Sequence, residues 1–194
     1  MQKSREIRIA GFGGQGIILS GYIIGKAAAI FDNKFSTLIQ SFGPEARGSS
    51  CSAQLIISDE QILYPYLVQP QIAILLSRDA YERFSPELKT GGIMLVEKDL
   101  VTPGKIPAGV QCFAIPATRL AEEMGRKIVM NIITVGFFAA TTGVTSYEAT
   151  RKAVETSVPE GTEEMNLKAF ETGYNYGMDL VQAPKKQSKK KQVS

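Results

Sequence analysis

The chain has 194 residues, 44% hydrophobic and 21% charged, with a formal net charge of +3. That balance fits one ordinary globular domain and excludes the disordered and membrane-embedded classes. Histidine is absent, which removes the commonest general base, proton shuttle and metal ligand.

The first predicted element is a short strand, Ile7-Arg8-Ile9-Ala10, followed by the glycine-rich run Gly11-Phe12-Gly13-Gly14-Gln15-Gly16 and a long apolar segment from Ile17. This reads as strand, tight turn and buried helix to about residue 31. Glycine admits positive φ and close backbone approach, and the helix that follows offers unpaired N–H groups and a positive dipole end. Gly11, Gly13 and Gly16 satisfy the dinucleotide pattern G-x-G-x-x-G. That fingerprint also asks for an Asp or Glu about 20 residues on. The next strand, at about 35–42, ends Ile39-Gln40-Ser41 without one. The loop is a Rossmann-like turn without the ribose ligand.

The polar segment 43–50 then leads into the apolar strand 52–57. A parallel crossover needs a dozen or more residues, so so short a linker allows an antiparallel pair and a mixed sheet. Ile72-Ala73-Ile74-Leu75-Leu76 reads as a central strand, 79–88 as a short helix, and 93–96 and 110–114 as further strands after Gly and Pro punctuation. From Pro116 the chain turns helical, at about 117–124, 127–142, 146–157 and 163–182, with Ser146 and Thr162 as caps and Gly125 and Gly143 as stops. The longest apolar stretch, 128–144, is interrupted by Asn131, Thr134, Thr141 and Thr142; it falls short of the roughly 20 apolar residues of a membrane span and reads as a buried helix. Residues 1–183 are expected to form a single α/β domain, and 184–194 a disordered Lys-rich tail. Its five lysines, Lys185, Lys186, Lys189, Lys190 and Lys191, account for the basic balance, since without them the charge falls from +3 to −2. The body then shows no basic surface or motif for nucleic acid. No export signal opens the chain, which points to the cytoplasm.

Cys51 and Cys112 lie far apart with no C-x-x-C partner, so neither an iron–sulfur cluster nor a structural zinc has its usual ligand set. With no histidine to activate it, Cys51 reads as a structural thiol. Asn131 reads as a buried amide satisfying a carbonyl.

Two motifs together, Ile9-Ala10-Gly11-Phe12-Gly13-Gly14-Gln15-Gly16 and Ser41-Phe42-Gly43-Pro44-Glu45-Ala46-Arg47-Gly48, resemble the gamma subunits of 2-oxoacid:ferredoxin oxidoreductases. Ile57-Ser58, Ile62 before Pro65, the run from Leu76 to Tyr81, Gly91-Gly92 and Asn131 are similar too. The resemblance covers about residues 5–180 and leans toward the 2-oxoglutarate branch. Ser49 stands where the family often has a second glycine.

The resemblance implies a three-layer α/β/α fold with a mixed, mostly parallel sheet and a helical C-terminal third, like the gamma domain of pyruvate:ferredoxin oxidoreductase. It implies a non-redox subunit working with alpha, beta and ferredoxin-like delta subunits. That complex uses thiamine diphosphate, magnesium, iron–sulfur clusters and coenzyme A, and passes electrons to ferredoxin. No catalytic residue is assigned to this chain, which is expected to be inactive alone. Gly11, Gly13, Gly14, Gln15 and Gly16 are candidates for contact with a coenzyme A or diphosphate phosphate, or for subunit packing. Gly43, Pro44, Glu45, Arg47 and Gly48 are candidates for an interface turn, two glycines and a proline fixing the backbone around a directed charge pair. The alternatives are a stand-alone nucleotide-binding enzyme with a Rossmann-like loop and the small subunit of an aryl-pyruvate ferredoxin oxidoreductase.

Overall fold

The computed structural model describes residues 4–43, 50–104 and 106–183. Six strands form one sheet: β1 (Ser4–Phe12), β2 (Phe35–Phe42), β3 (Ser50–Ser58), β4 (Ile72–Leu75), β5 (Ile93–Glu97) and β6 (Gln111–Ile115). Their spatial order is β2-β3-β1-β4-β5-β6. β3 runs antiparallel to both β1 and β2, while β1, β4, β5 and β6 are mutually parallel. The sheet is therefore mixed and mostly parallel, and β4 lies near its centre.

The helices are α1 (Ile17–Lys26), α2 (Arg78–Phe84), α3 (Ala117–Glu123), α4 (Met130–Thr142), α5 (Tyr147–Glu155) and α6 (Glu163–Gln182). Strand alternation sorts the core into two layers. Ile7 and Ile9 of β1, Ile72 and Ile74 of β4 and Leu95 of β5 join the residues of α1, α3, α4, α5 and α6 in one apolar cluster. Ala10, Ala73, Leu75, Met94 and Val96 face the opposite side, against Ala80, Tyr81 and Phe84 of α2. On that thinner side Arg8 packs its guanidinium 4.7 Å from the Phe84 ring centroid and reaches Glu87 at 3.3 Å. Burial lowers the Arg8 pKa from its usual value and the Glu87 carboxylate opposes the shift.

Helix α4 is buried on nearly all sides, with Phe137 and Phe138 fully enclosed. Its threonines discharge their hydroxyls internally: Thr134, Thr141 and Thr142 donate to the carbonyls of Met130, Phe137 and Phe138 at 2.9, 2.7 and 2.8 Å. Helix α6 crosses it at backbone distance. A Cβ on Gly173 would fall within the Ile133 carbonyl, and one on Gly136 within that of Phe170.

Several elements depart from expectation. The first helix changes at Ala27 into a π-helical turn, Ala27–Phe31, closed by Asp32 N–H to the Ala27 carbonyl at 3.0 Å. The apolar pattern alone does not distinguish that wider turn. The helix expected at 79–88 stops at Phe84, and a 3₁₀ turn containing Pro86, Ser85–Glu87, follows it. The helix expected from 127 opens with a 3₁₀ turn, Lys127–Val129, before α4. Ser146 caps α5 by accepting from Ala149 N–H at 3.2 Å. Thr162 does not cap α6 by its side chain, because its hydroxyl donates to the Pro159 carbonyl at 2.7 Å. Gly125 and Gly143 end their helices with φ of 77° and 60°.

The buried Glu97 closes the end of β5. Its carboxylate accepts from the N–H groups of Asp99 and Leu100, both at 2.7 Å, and of Thr118 at 3.0 Å. One carboxylate thereby fixes both the turn after β5 and the start of α3. Among the described residues no helix is long and apolar enough to cross a membrane.

Candidate functional site

The glycine loop lies where β1 meets α1, at the end of the parallel strands where α/β sheets commonly bind ligands. Its left-handed backbone falls at Gly14 (φ 99°) and Gly16 (φ 70°), a conformation glycine adopts without steric cost. Gly16 is the N-cap of α1, and no side chain caps that end. The first intrahelical bond runs from Ser20 N–H to the Gly16 carbonyl at 2.9 Å. The N–H groups of Ile17, Ile18 and Leu19 therefore remain as donors at the positive end of the helix dipole.

Gln15 occupies a different place from the one its position in the motif suggests. Its Oε1 accepts from Phe12 N–H at 2.6 Å, and its Nε2 donates to the Leu76 carbonyl at 2.9 Å. The carboxamide thus staples the end of β1 to the exit of β4. Gly11 makes that staple possible, since a Cβ there would collide with Gln15 Oε1. Gln15 and Gly11 shape the loop from beneath.

Above the loop opens a cavity of about 640 Å³, lined by Gly13, Gly14 and Gly16, by Ile17 to Leu19, and by residues of α4 and the start of α6. Its walls are mostly apolar, from Ile132, Val129, Val158 and Met165, with Arg126 at the rim. Two asparagines face it. Asn166 commits its Nδ2 to the Thr162 carbonyl at 2.9 Å and to the Thr162 hydroxyl at 3.1 Å. Asn131 is 4% exposed, and among the described residues no hydrogen bond is formed by its side chain. The expected pairing with a buried carbonyl is not made. Its amide instead abuts Gly16, where a Cβ would meet Nδ2 at 2.7 Å. Its amide is not among the fully buried unpartnered side-chain groups of the described residues, which belong to Arg8, Thr37, Tyr81 and Thr118, so it stays in contact with the cavity it lines.

Cys51 lies in β3 beside this cavity and is buried. Burial raises its thiol above the usual value, as it does for Cys112. Both thiols are therefore protonated at neutral pH, which suits packing rather than nucleophilic chemistry. Of the expected interface turn, Gly43 is described, its N–H donating to the Ser50 carbonyl at 2.9 Å. Pro44, Glu45, Arg47 and Gly48 lie outside the described residues. Among the described residues no three His, Cys, Asp or Glu side chains converge to hold a metal.

Sequence reasoning selects the loop and Asn131 but passes over two further side chains at the cavity, Asn166 and Arg126. Asn166 and Arg126 carried no recognisable signal, since they come from separate elements more than 100 residues beyond the loop. Asn131 did carry one, as a polar residue in an apolar helix.

A mixed sheet opening on a glycine turn, with an uncapped helix start beside a cavity, defines an α/β domain. The family described as pyruvate ferredoxin/flavodoxin oxidoreductase matches residues 6–176, and the chain belongs to it. It is 47% identical over 178 residues to the 2-oxoglutarate synthase subunit KorC of Methanocaldococcus jannaschii, covering 91% of this chain and 95% of that relative. Among solved structures it is similar to a keto/oxoacid ferredoxin oxidoreductase gamma subunit from Geobacter sulfurreducens. That match has a TM-score of 0.79 and 42% identity, over 90% of this chain and 98% of the other. It also matches a 2-oxoglutarate:ferredoxin oxidoreductase from Magnetococcus marinus with 2-oxoglutarate, coenzyme A and succinyl-CoA bound, at a TM-score of 0.81 and 25% identity. Here 91% of this chain corresponds to 31% of that one. Family membership favours the oxidoreductase subunit over a stand-alone nucleotide-binding enzyme.

Proposed function

We propose that the chain is the gamma subunit of a 2-oxoglutarate:ferredoxin oxidoreductase, and that its glycine-loop cavity receives a phosphate-bearing part of coenzyme A. The observation that carries the second part is the cavity itself, which is lined by Gly16, Ile17, Ile18 and Leu19 at the uncapped start of α1 and by Asn131. Backbone donors at a helix N-terminus suit phosphate oxygens, and Arg126 at the rim adds a cation. The donor set fits such a ligand. The similarity to a structure with coenzyme A bound supports the same reading.

In this reading alpha, beta and ferredoxin-like delta subunits hold thiamine diphosphate, magnesium and the iron–sulfur clusters, and ferredoxin takes the electrons through the complex. Thiamine diphosphate would supply the oxidative decarboxylation of the 2-oxoacid; this chain holds and orients the acyl acceptor. The turn Gly43, Pro44, Glu45, Arg47 and Gly48 serves as a subunit contact.

Reconstitution with the partner subunits tests both parts. Gly14→Ala is the control for the backbone strain that any side chain brings at a φ of 99°; Gly14→Asp adds to it a carboxylate beside the cavity, with nothing within 4 Å of a Cβ there. It should raise the apparent KM for coenzyme A in dye-linked 2-oxoglutarate oxidation while the complex still assembles. Arg47→Glu should weaken assembly on size exclusion without unfolding the isolated chain. A wild-type coenzyme A requirement in assembled Gly14→Asp would refute the cavity assignment, and unchanged assembly of Arg47→Glu would refute the contact.

A further inference from the structure

We infer that β2 is a self-pairing surface: two copies of this chain join antiparallel along it, and Phe42 of each fills a groove between α1 and β2 of the other. This is independent of the coenzyme A assignment. The ladder fixes which groups are offered. Gly43 N–H bonds the Ser50 carbonyl at 2.9 Å, in register with Phe42 opposite Cys51 and Ser41 opposite Ser52. Bonded pairs alternate along an antiparallel ladder. Phe35, Thr37, Ile39 and Ser41 therefore turn their N–H and C=O groups to β3, while Ser36, Leu38, Gln40 and Phe42 turn theirs outward. Among the described residues no strand receives them.

Leu38 and Phe42 stand opposite Leu55 and Cys51, on the side of the sheet that α1 covers. There the flank of α1 and its π-helical turn is apolar and bare, with Tyr22 51% and Ile30 64% exposed. Between that flank and β2 runs a groove of about 540 Å³ whose walls include Tyr22, Gly25, Ala29, Ile30, Ser36 and Leu38. Ser36 ties the two walls together, its hydroxyl donating to the Gly25 carbonyl at 3.0 Å. Lys26, the cation of the groove, is drawn away to the Thr156 carbonyl at 2.8 Å. A two-fold axis normal to the sheet at Ile39 is the register in which the outward residues pair wholly among themselves, Ser36 with the second copy's Phe42 and Leu38 with its Gln40. Phe42, 67% exposed, then enters the groove beside Ser36 of the other copy, and symmetry repeats the contact. Both strands and both grooves are filled at once, which singles out a second copy as the occupant. No charge lies in β2 to oppose itself across the axis. At the stated exposures Tyr22, Ile30 and Phe42 offer on the order of 100 Å² each. With the outer backbone and the half-buried Leu38 and Ile39, the pair buries about 1,200 Å², the lower bound for a specific interface. The dimer is therefore weak, forming as concentration rises and leaving β2 open to water in dilute protein.

Sedimentation equilibrium of the full chain across the micromolar range should show a reversible monomer–dimer transition. Ile39→Lys sets two ammonium groups face to face at the axis, and like charges directly opposite oppose pairing, so the dissociation constant should rise by about tenfold or more. The amides of Ser36, Leu38, Gln40 and Phe42 should exchange more slowly as the wild-type protein is concentrated, and Ile39→Lys should abolish that dependence. Ile39→Cys reads the register without a lysine in the strand. Residues directly opposed in a non-bonded antiparallel pair have Cα atoms about 4.5 Å apart, within reach of a disulfide. Mild oxidation of Ile39→Cys should trap a covalent dimer, whereas wild type and Thr37→Cys, in which position 37 faces the second copy's Ser41, should stay uncrosslinked. Phe42 is left unaltered because it also lines the glycine-loop cavity. A chain that stays monomeric throughout, or a dimer that withstands Ile39→Lys while Ile39→Cys fails to cross-link, would overturn the inference.

Discussion

Replacing Gly173 by alanine should destabilise the chain, although helix propensity argues the opposite. On an exposed helix the change would gain up to about 1 kcal/mol. Here a Cβ on Gly173 would overlap the Ile133 carbonyl oxygen and stand 2.7 Å from its carbon, against a comfortable C···O separation of about 3.3–3.6 Å. Both contacts are backbone, so no rotamer change relieves them. The Cβ would stand 1.9 Å from that oxygen, so the helices must part by about 1.4 Å or more to reach a comfortable contact, beyond the 0.5–1 Å gap that already forfeits roughly a quarter to a half of each dispersion contact across it. The interface loosened holds Phe137 and Phe170, both fully enclosed. Overpacking of this kind costs about 1–3 kcal/mol, and with the lost contacts and the propensity gain the net loss should be about 2 kcal/mol. For a chain of this size that lowers the thermal midpoint by about 4–8 °C. Gly136→Ala should behave similarly, as it meets the Phe170 carbonyl. Gly177→Ala should cost less, since its nearest neighbours are side chains, Ala140 at 2.7 Å and Phe137 at 3.2 Å. Because one separation of the helices relieves both clashes, the double variant Gly136→Ala/Gly173→Ala should lose less than the sum of the two. Urea and thermal unfolding of the four proteins decide the matter. A midpoint for Gly173→Ala equal to or above wild type would refute the account of this crossing.

Two other outcomes follow from groups described above. Glu97→Gln retains one acceptor but turns an amide donor toward backbone N–H groups, and with hydrogen bonds to charged groups worth about 1.5–3 kcal/mol each it should cost about 3 kcal/mol in urea unfolding; a loss under about 1 kcal/mol would show that the turn after β5 is held otherwise. Burial raises the Cys51 thiol above its ordinary value near 9.0, so the unfolded chain ionises first. Its contribution to stability is present below pH 9.0 and is lost as pH rises through the folded pKa. Cys51→Ala should flatten that alkaline fall, and urea curves from neutral to alkaline pH showing the same slope for both proteins would contradict it.

The strands and helices were legible because their apolar runs are long and punctuated by glycine and proline, as at Ile72 to Leu76 and after Pro116. The antiparallel β2–β3 pair followed from a linker too short for a crossover. What escaped was identity of partners. Gln15 invites a ligand role by its place in the motif, and its staple to Leu76 depends on a residue 61 positions away. Asn131 looked like a satisfied amide because buried amides usually are, and only the folded arrangement shows that it lines the cavity beside Gly16. The Gly136 and Gly173 crossing left little trace, since neither residue perturbs the helical pattern that contains it. The π-helical turn at Ala27–Phe31 needs one extra residue that hydrophobic spacing does not register.

The outermost strand has a consequence for handling this subunit by itself. Among the described residues β2 borders only β3 in the sheet, its eight residues Phe-Ser-Thr-Leu-Ile-Gln-Ser-Phe contain no charge and no proline, and Phe35 and Phe42 at its ends are 48% and 67% exposed. A row of amide hydrogens and carbonyls without guarding side chains is a template for any passing strand. Expressed without its partners, the chain should therefore show a yield that falls as its concentration rises, and amide exchange along β2 should be fast where the outward-pointing N–H groups meet water. A single lysine at Thr37 or Ile39 would act as a gatekeeper, slowing association without touching the glycine loop on the opposite flank of β3.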